Sequence, residues 1–308
     1  MAAAVKLRLG TRGSPLARWQ AEWVAGQLQA LGCQVDLVPI ATQGDVQQTD
    51  SIGGLGAQGV FTKEIQRALL EGTVDLAVHS LKDLPTEPVD GLCLACVPLR
   101  EDVNDVLISR AGTSLDELPA GATIGTGSLR RQAQLLHHRP DLKTLPIRGN
   151  VDTRLRKLDA GEYDAIVLAR AGMKRLGLAD RITQVLPLTL MLPAVGQGAL
   201  GLETRLEDEQ TYTLLAPLND RPTHMAVLAE RGLLHHLRGG CLAPVGAWAR
   251  MDEDLLRLSA VVLSADGQKR IDAESTGDPA AAAALGIHVA DKLLSQEAAA
   301  IIAASRIS

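Results

Sequence analysis

The sequence predicts an α/β protein in which two βα domains precede a smaller α+β domain. Short apolar runs alternate with helical spacing from Val5 to Ala169, punctuated by residues that cap or break helices. From about Arg221 the pattern changes to one helix, three strands and an Ala-rich final helix. The 308 residues suffice for two domains and admit a third, at roughly 150 residues each.

In order, Val5–Leu9 reads as a strand, Ser14–Leu31 as a helix with Leu16, Trp19, Trp23 and Val24 on its apolar stripe, and Val35–Ile40 as a strand. That succession suggests a parallel unit. Ser14 can cap free amides, and Pro15 suits the first helical position because no N–H is needed there. Residues 41–59, rich in Gly, Gln, Asp and Thr, lack apolar periodicity and are expected to form a mobile cover, anchored by Val60 and Phe61. Thr62–Glu71 reads as a helix, with Val74–His79 and Leu92–Val97 as strands. The second set comprises strands Val106–Ser109 and Thr123–Gly125, helix Leu129–Arg139, strand Lys143–Ile147, helix Val151–Ala160 and strand Ala165–Ala169. Pro193–Gly201 reads as a glycine-rich crossing, followed by helix Thr223–Leu237 and strands Val245–Ala249, Leu255–Leu263 and Arg270–Glu274.

Composition narrows the function classes. No apolar run approaches the roughly 18 residues that cross a bilayer, and MAAAVKLRLG lacks the apolar core of a signal peptide, so no membrane association and a cytoplasmic location are expected. Cysteines at 33, 93, 96 and 241 are too few for a disulfide framework. Six aromatic residues and a net charge of −5 argue against a nucleic-acid partner. Arginine is nevertheless abundant, 23 against 8 lysines, and residues 123–181 carry 9 Arg and 3 Lys against 6 acids. A guanidinium grips a carboxylate or phosphate through two parallel hydrogen bonds, which a lysine cannot reproduce.

Three helix starts have the makings of anion sites: Thr11-Arg12-Gly13-Ser14-Pro15, Gly125 to Arg131 and Arg148-Gly149-Asn150. Each joins free amides, the helix dipole and an arginine, although capping alone also explains Ser and Asn. The strand 74–79 delivers Ser80, Lys82 and Asp83 to its carboxyl end, where α/β sheets bind ligands. Asp83 is a candidate carboxylate or an ordinary turn former, and His79 is expected to pack or to make a fixed hydrogen bond rather than to act as a base. Cys93 and Cys96 lie three apart in an apolar strand, facing opposite sides, and read as core thiols with no metal site. Cys241 follows two glycines that leave room at the sulfur, so a reactive and a structural thiol both remain open.

The segments TRGSPLA at 11–17, HSLKDLP at 79–85, GTGSLRRQ at 125–132, RGNVDTRL at 148–155, GQGALGLE at 196–203 and GGC at 239–241 jointly resemble the hydroxymethylbilane synthase (porphobilinogen deaminase) family. The resemblance covers about residues 7–250 and is looser beyond. It implies two periplasmic-binding-protein-like domains around a cleft and a third that carries the cofactor cysteine, with an expected division into 1–99 with 198–217, 100–197 and 218–308. It also implies a transferase of tetrapyrrole (haem) biosynthesis that joins four porphobilinogen molecules head to tail, releasing ammonia each time, and frees hydroxymethylbilane by hydrolysis. A dipyrromethane cofactor is implied on Cys241 through a thioether, with Lys82, Thr126, Ser128, Arg130 and Arg131 holding it. Arg12, Ser14, Phe61, Arg148, Arg154, Arg175 and Gln197 are implied to hold substrate, and Asp83 to stabilise the positive charge left when ammonia departs. Each pyrrole brings an acetate and a propionate, which gives the arginine excess a purpose. A monomer is expected.

The chain departs from the family's pattern at Gln58, where a lysine is common, and at Leu242, where a glutamine commonly follows the cysteine. A rival reading is a non-catalytic carboxylate-binding protein of the same cleft fold, in which Cys241 is a core thiol. A second rival is a transferase whose phosphorylated substrate sits at the helix starts.

Overall fold

The structure, a computed structural model, describes residues 5–41, 62–239 and 243–305. The strands among them are β1 (Lys6–Thr11), β2 (Gln34–Pro39), β3 (Leu76–Ser80), β4 (Leu92–Cys96), β5 (Asp105–Ser109), β6 (Thr123–Gly125), β7 (Lys143–Leu145), β8 (Ala165–Ala169), β9 (Gln184–Val185), β10 (Leu200–Arg205), β11 (Val245–Asp252), β12 (Leu255–Leu263) and β13 (Arg270–Gly277). The chain divides into two compact units, Met1–Glu101 with Ala199–His224 and Asp102–Gly198 with Met225–Ser308. The expected α/β class holds. The expected cover at 41–59 lies, except for Ala41, outside the described residues.

The first unit is built on a sheet of order β2-β1-β3-β10-β4. β1 pairs in parallel with β2 and β3, while β10 is antiparallel to both β3 and β4. The helix Pro15–Ala30 starts as its sequence indicates, with Ser14 accepting from the Ala17 amide at 3.3 Å, and buries Ala21, Val24, Ala25 and Leu28. These pack with Leu7, Leu9, Leu76, Val78 and Leu202 of the sheet. Each such aliphatic side chain contributes about 1.5–3 kcal/mol through removal from water. Cys96 belongs to this core, and burial pushes its thiol up to about 12.

In the second unit a sheet of order β7-β6-β8-β5-β9 repeats the arrangement, with β5 antiparallel to its neighbours β8 and β9. β7 is shorter than its apolar run because Pro146 cannot donate to the ladder. The remaining sheet, β11-β12-β13, is antiparallel and buries one face against the helices Ala282–Leu294 and Ala298–Ala304. The sequence suggests one helix here; Glu297, with φ 71°, divides it into two. Short helices at Arg170–Arg175 and Glu209–Leu215 have no counterpart in the sequence reading.

One turn fastens this last sheet to the helix Leu129–His138. Gly267, in the turn between β12 and β13, has φ +75° and offers its carbonyl to His137 Nδ1 at 2.8 Å, while Gln132 donates to Ala265 O at 3.3 Å. A Cβ at Gly267 would lie 2.7 Å from Ala133 O and closer still to the His137 amide. Gly267→Ala combines a left-handed backbone with a clash against a rigid helix, and is expected to cost about 2–4 kcal/mol. Its melting temperature should fall by about 5–10 °C, measured by calorimetry or circular dichroism.

Candidate functional site

In the first unit the residues named from the sequence gather where β1 and β3 end. Arg12, Ser14, Gln20, Thr62, His79, Ser80 and Asp83 line one open pocket. Asp83 ends a single 3-10 turn, Leu81–Asp83, and is exposed between the buried Leu81 and Leu84. The Leu81 amide donates to Ala199 O at 3.0 Å, and the Leu84 amide returns to Leu81 O at 3.2 Å, so the turn that carries Lys82 and Asp83 is held at both ends. Gln20 and Ser80, 2.8 Å apart, close the floor beside them.

His79 makes the fixed contact its position suggests. Its Nε2 lies 3.1 Å from Glu203 Oε2, and the other oxygen of Glu203 accepts from Gln66 Nε2 at 3.0 Å. All three are buried, tying the helix Lys63–Leu70 to β3 and β10 beneath the pocket. Glu203 and Gln66 are not legible as partners in the sequence because their contacts span 124 and 137 residues.

In the second unit two helix starts are capped as their sequences indicate. Ser128 Oγ accepts from the Arg131 amide at 3.5 Å, and Asn150 Oδ1 from Thr153 N at 3.1 Å. Thr126 accepts from the Ser128 amide at 3.2 Å. At the second start Gly149, with φ +104°, makes the turn, and its carbonyl accepts from Arg154 Nε at 2.8 Å, with Arg148 exposed next to it. Arg175 donates to Gly198 O at 2.8 Å. Phe61, Cys241 and the departures Gln58 and Leu242 lie outside the described residues.

Arg130 and Arg131 turn inward rather than standing open at their helix start. They are 3% and 6% exposed and converge on Asp105, which is fully buried. Arg131 donates to Asp105 Oδ1 through Nη2 at 2.7 Å and Nε at 3.1 Å, Arg130 Nη1 lies 2.8 Å from Oδ2, and Gln197 Nε2 donates to Oδ1 at 3.0 Å. Burial alone pushes the Asp105 carboxyl up, but the charges and hydrogen bonds of the two guanidiniums outweigh it and hold the group well below the usual carboxylate range. Burial likewise lowers Arg130. The segment before Gln197 is fixed by the buried Glu230, which accepts from Gly196 N at 2.7 Å and Ala249 N at 2.8 Å. Asp105 shows in the sequence only as an acid that opens the run Val106–Ile108.

A carboxyl depressed in the folded chain adds stability above its unfolded value, near 3.9, and that stability is lost as pH falls through this value towards the folded one. The unfolding free energy is therefore expected to drop by about 2–4 kcal/mol on acidification below about pH 4, with a smaller drop in Asp105→Asn. Urea titrations across that range read both.

Two guanidiniums face one carboxylate, so this trio carries one positive charge more than it neutralises, and Arg130 Nε is buried with no hydrogen-bond partner. Buried charge of this kind is costly until an anion meets it. The arrangement suits a carboxylate. Among the described residues no cluster of His, Cys, Asp or Glu could hold a metal, and no helix is long and apolar enough to cross a membrane.

Residues 7–213 match the family described as porphobilinogen deaminase, dipyrromethane cofactor binding domain, and residues 224–295 match the porphobilinogen deaminase C-terminal domain. A porphobilinogen deaminase from Syntrophotalea carbinolica is 50% identical over 304 residues, covering 98% of this chain and 96% of that protein. Among solved structures, a periplasmic substrate-binding protein of an ABC transporter from Coxiella burnetii is 18% identical, with a TM-score of 0.44 over 73% of this chain and 94% of that one. A nutrient-binding protein from Burkholderia cenocepacia bound to methionine is 15% identical, with a TM-score of 0.44 over 68% and 90%. Such faint structural likeness carries no part of the assignment, which rests on the sequence matches over nearly the whole length: the chain belongs to the porphobilinogen deaminase family.

Proposed function

We propose how this chain's residues perform the family's reaction, the head-to-tail polymerisation of porphobilinogen with loss of ammonia and release of hydroxymethylbilane. The observation that carries this reading of the residues is the pocket in which an exposed carboxylate, Asp83, stands with Arg12 and the capped helix start at Ser14. Asp83 supplies negative charge where a cation develops on the substrate pyrrole as ammonia leaves, and a fixed charge acting only there lowers the barrier. Arg12 and the amides of the helix start hold acetate and propionate groups. The turn Leu81–Asp83 keeps the carboxylate in place through its two backbone bonds.

The dipyrromethane cofactor of the family supplies a primer on which the chain of pyrroles grows. Cys241 holds it by a thioether, and Arg130 and Arg131 meet its carboxylates with the charge that Asp105 leaves over. Lys82, Thr126 and Ser128 complete that hold, while Arg148, Arg154, Arg175, Phe61 and Gln197 serve the substrate side. On this reading residues 218–308 form a third domain, and the protein works as a cytoplasmic monomer. The non-catalytic binding reading is not favoured, because the matched family is one of enzymes.

Intact-mass measurement of the protein as made in cells tests the assignment. An excess equal to one dipyrromethane, together with ammonia release from porphobilinogen, is expected. The bare chain mass with no ammonia release would overturn it.

A further inference from the structure

We propose that Asp105 is a positioning residue that sets Arg130, Arg131 and Gln197 in their binding arrangement before any carboxylate ligand arrives. The inference rests on the assignment of those three residues to cofactor and substrate given above.

Three candidates from two separate segments reach one side chain. Arg130 and Arg131 come from the helix Leu129–His138 and Gln197 from the crossing that precedes β10, yet all contact the Asp105 carboxylate at 2.7–3.1 Å. Asp105 itself has little freedom. It opens β5, pairs with Ala169 of β8, and its carbonyl accepts from the Leu186 amide at 3.0 Å. Full burial removes the competing water that would loosen an exposed ion pair.

Two further guanidinium donors are held by backbone carbonyls, and a third is left over. Arg131 Nη1 donates to Val167 O at 2.9 Å and Arg130 Nη1 to Leu192 O at 2.6 Å. Arg130 Nε has no such partner and is buried. Asp105 thus orders both long side chains while neutralising only one of their two charges. Side chains fixed in advance spare an incoming carboxylate the entropy of ordering them. An asparagine could not do this, since its amide would turn donors towards a guanidinium and leave two like charges buried together.

A merely structural ion pair and a positioning residue differ in what else changes. Asp105→Asn is expected to fold, by circular dichroism, while the cofactor-free protein takes up its mass excess from porphobilinogen about ten- to a hundredfold more slowly than wild type. The KM for porphobilinogen should rise while kcat per loaded molecule stays within about threefold. Asp105→Glu, which keeps the charge, should recover part of both.

Loading at the wild-type rate with unchanged KM in Asp105→Asn overturns the inference, even if the variant melts earlier. Should the variant fail to fold, the Nε–H of Arg131 in cofactor-free wild type decides by NMR. Protection from solvent exchange before loading supports positioning by Asp105, and exchange as fast as free arginine overturns it. A wild-type chain of bare mass made in cells overturns the parent assignment and this inference together. A loaded wild type with an equally loaded Asp105→Asn overturns this inference alone.

Discussion

Replacing Cys241 by Ser is expected to give a chain of bare mass with no measurable turnover. A serine oxygen is a poorer and less polarizable nucleophile than a thiolate towards a soft carbon electrophile, so the thioether does not form and polymerisation has no primer. The other thiols provide the contrast. Cys33 and Cys96 are buried, the Cys96 thiol is pushed up to about 12 and stays protonated at neutral pH, and Cys93 rests 3.6 Å from the Thr204 hydroxyl. Cys96→Ala should therefore destabilise the first unit's core by about 1 kcal/mol and leave both mass excess and turnover intact. Electrospray mass and a porphobilinogen-consumption assay on the two variants decide the matter. A Cys241→Ser protein that still carries the excess assigns the attachment to another residue.

The second large effect is expected at Asp83. Asp83→Asn should reduce kcat by roughly two to three decades, about 3–4 kcal/mol, and change KM by less than about threefold. The reason is differential. The amide matches the carboxylate in size and hydrogen-bonding reach, so the ground state is held as before, but the negative charge that favours the developing cation is gone. Asp83 is exposed, and its turn is anchored by Leu81 and Leu84 rather than by its own side chain, so the substitution should leave the melting temperature within about 2 °C. Steady-state kinetics separate the possibilities. A raised KM with unchanged kcat would make Asp83 a binding residue instead.

What the sequence makes legible is what local chemistry decides. Ser14-Pro15, Ser128 and Asn150 announce helix starts because each cap bonds within three residues of itself. Most strands of the two five-stranded sheets likewise show as short apolar runs, but β9, two residues long and half polar, does not. β10 does not show its full extent, because Gly201 packs tightly against Leu81 and Leu94 and Glu203 is a buried acid in the strand's midst. Only His79 and Gln66, far away in sequence, make that acid acceptable. Asp105 is hidden likewise, since its partners lie 26 and 92 residues further on. The motifs therefore point to the guanidiniums but not to the carboxylate that they grip.

The antiparallel place of β10 between β3 and β4 has a consequence for synthesis on the ribosome. β3 and β4 are finished by Cys96, but the strand that separates them ends only at Arg205. At about 5–20 residues per second, the newly made β3 and β4 wait roughly 5–20 s with unpaired edges facing the gap. During that wait the nascent first unit is open to wrong pairings, and the whole of the following sheet is made before the gap closes. The first unit thus begins before that sheet and is completed after it, and its pocket, whose Leu81–Asp83 turn hangs on Ala199, acquires its shape only after residue 199 has emerged.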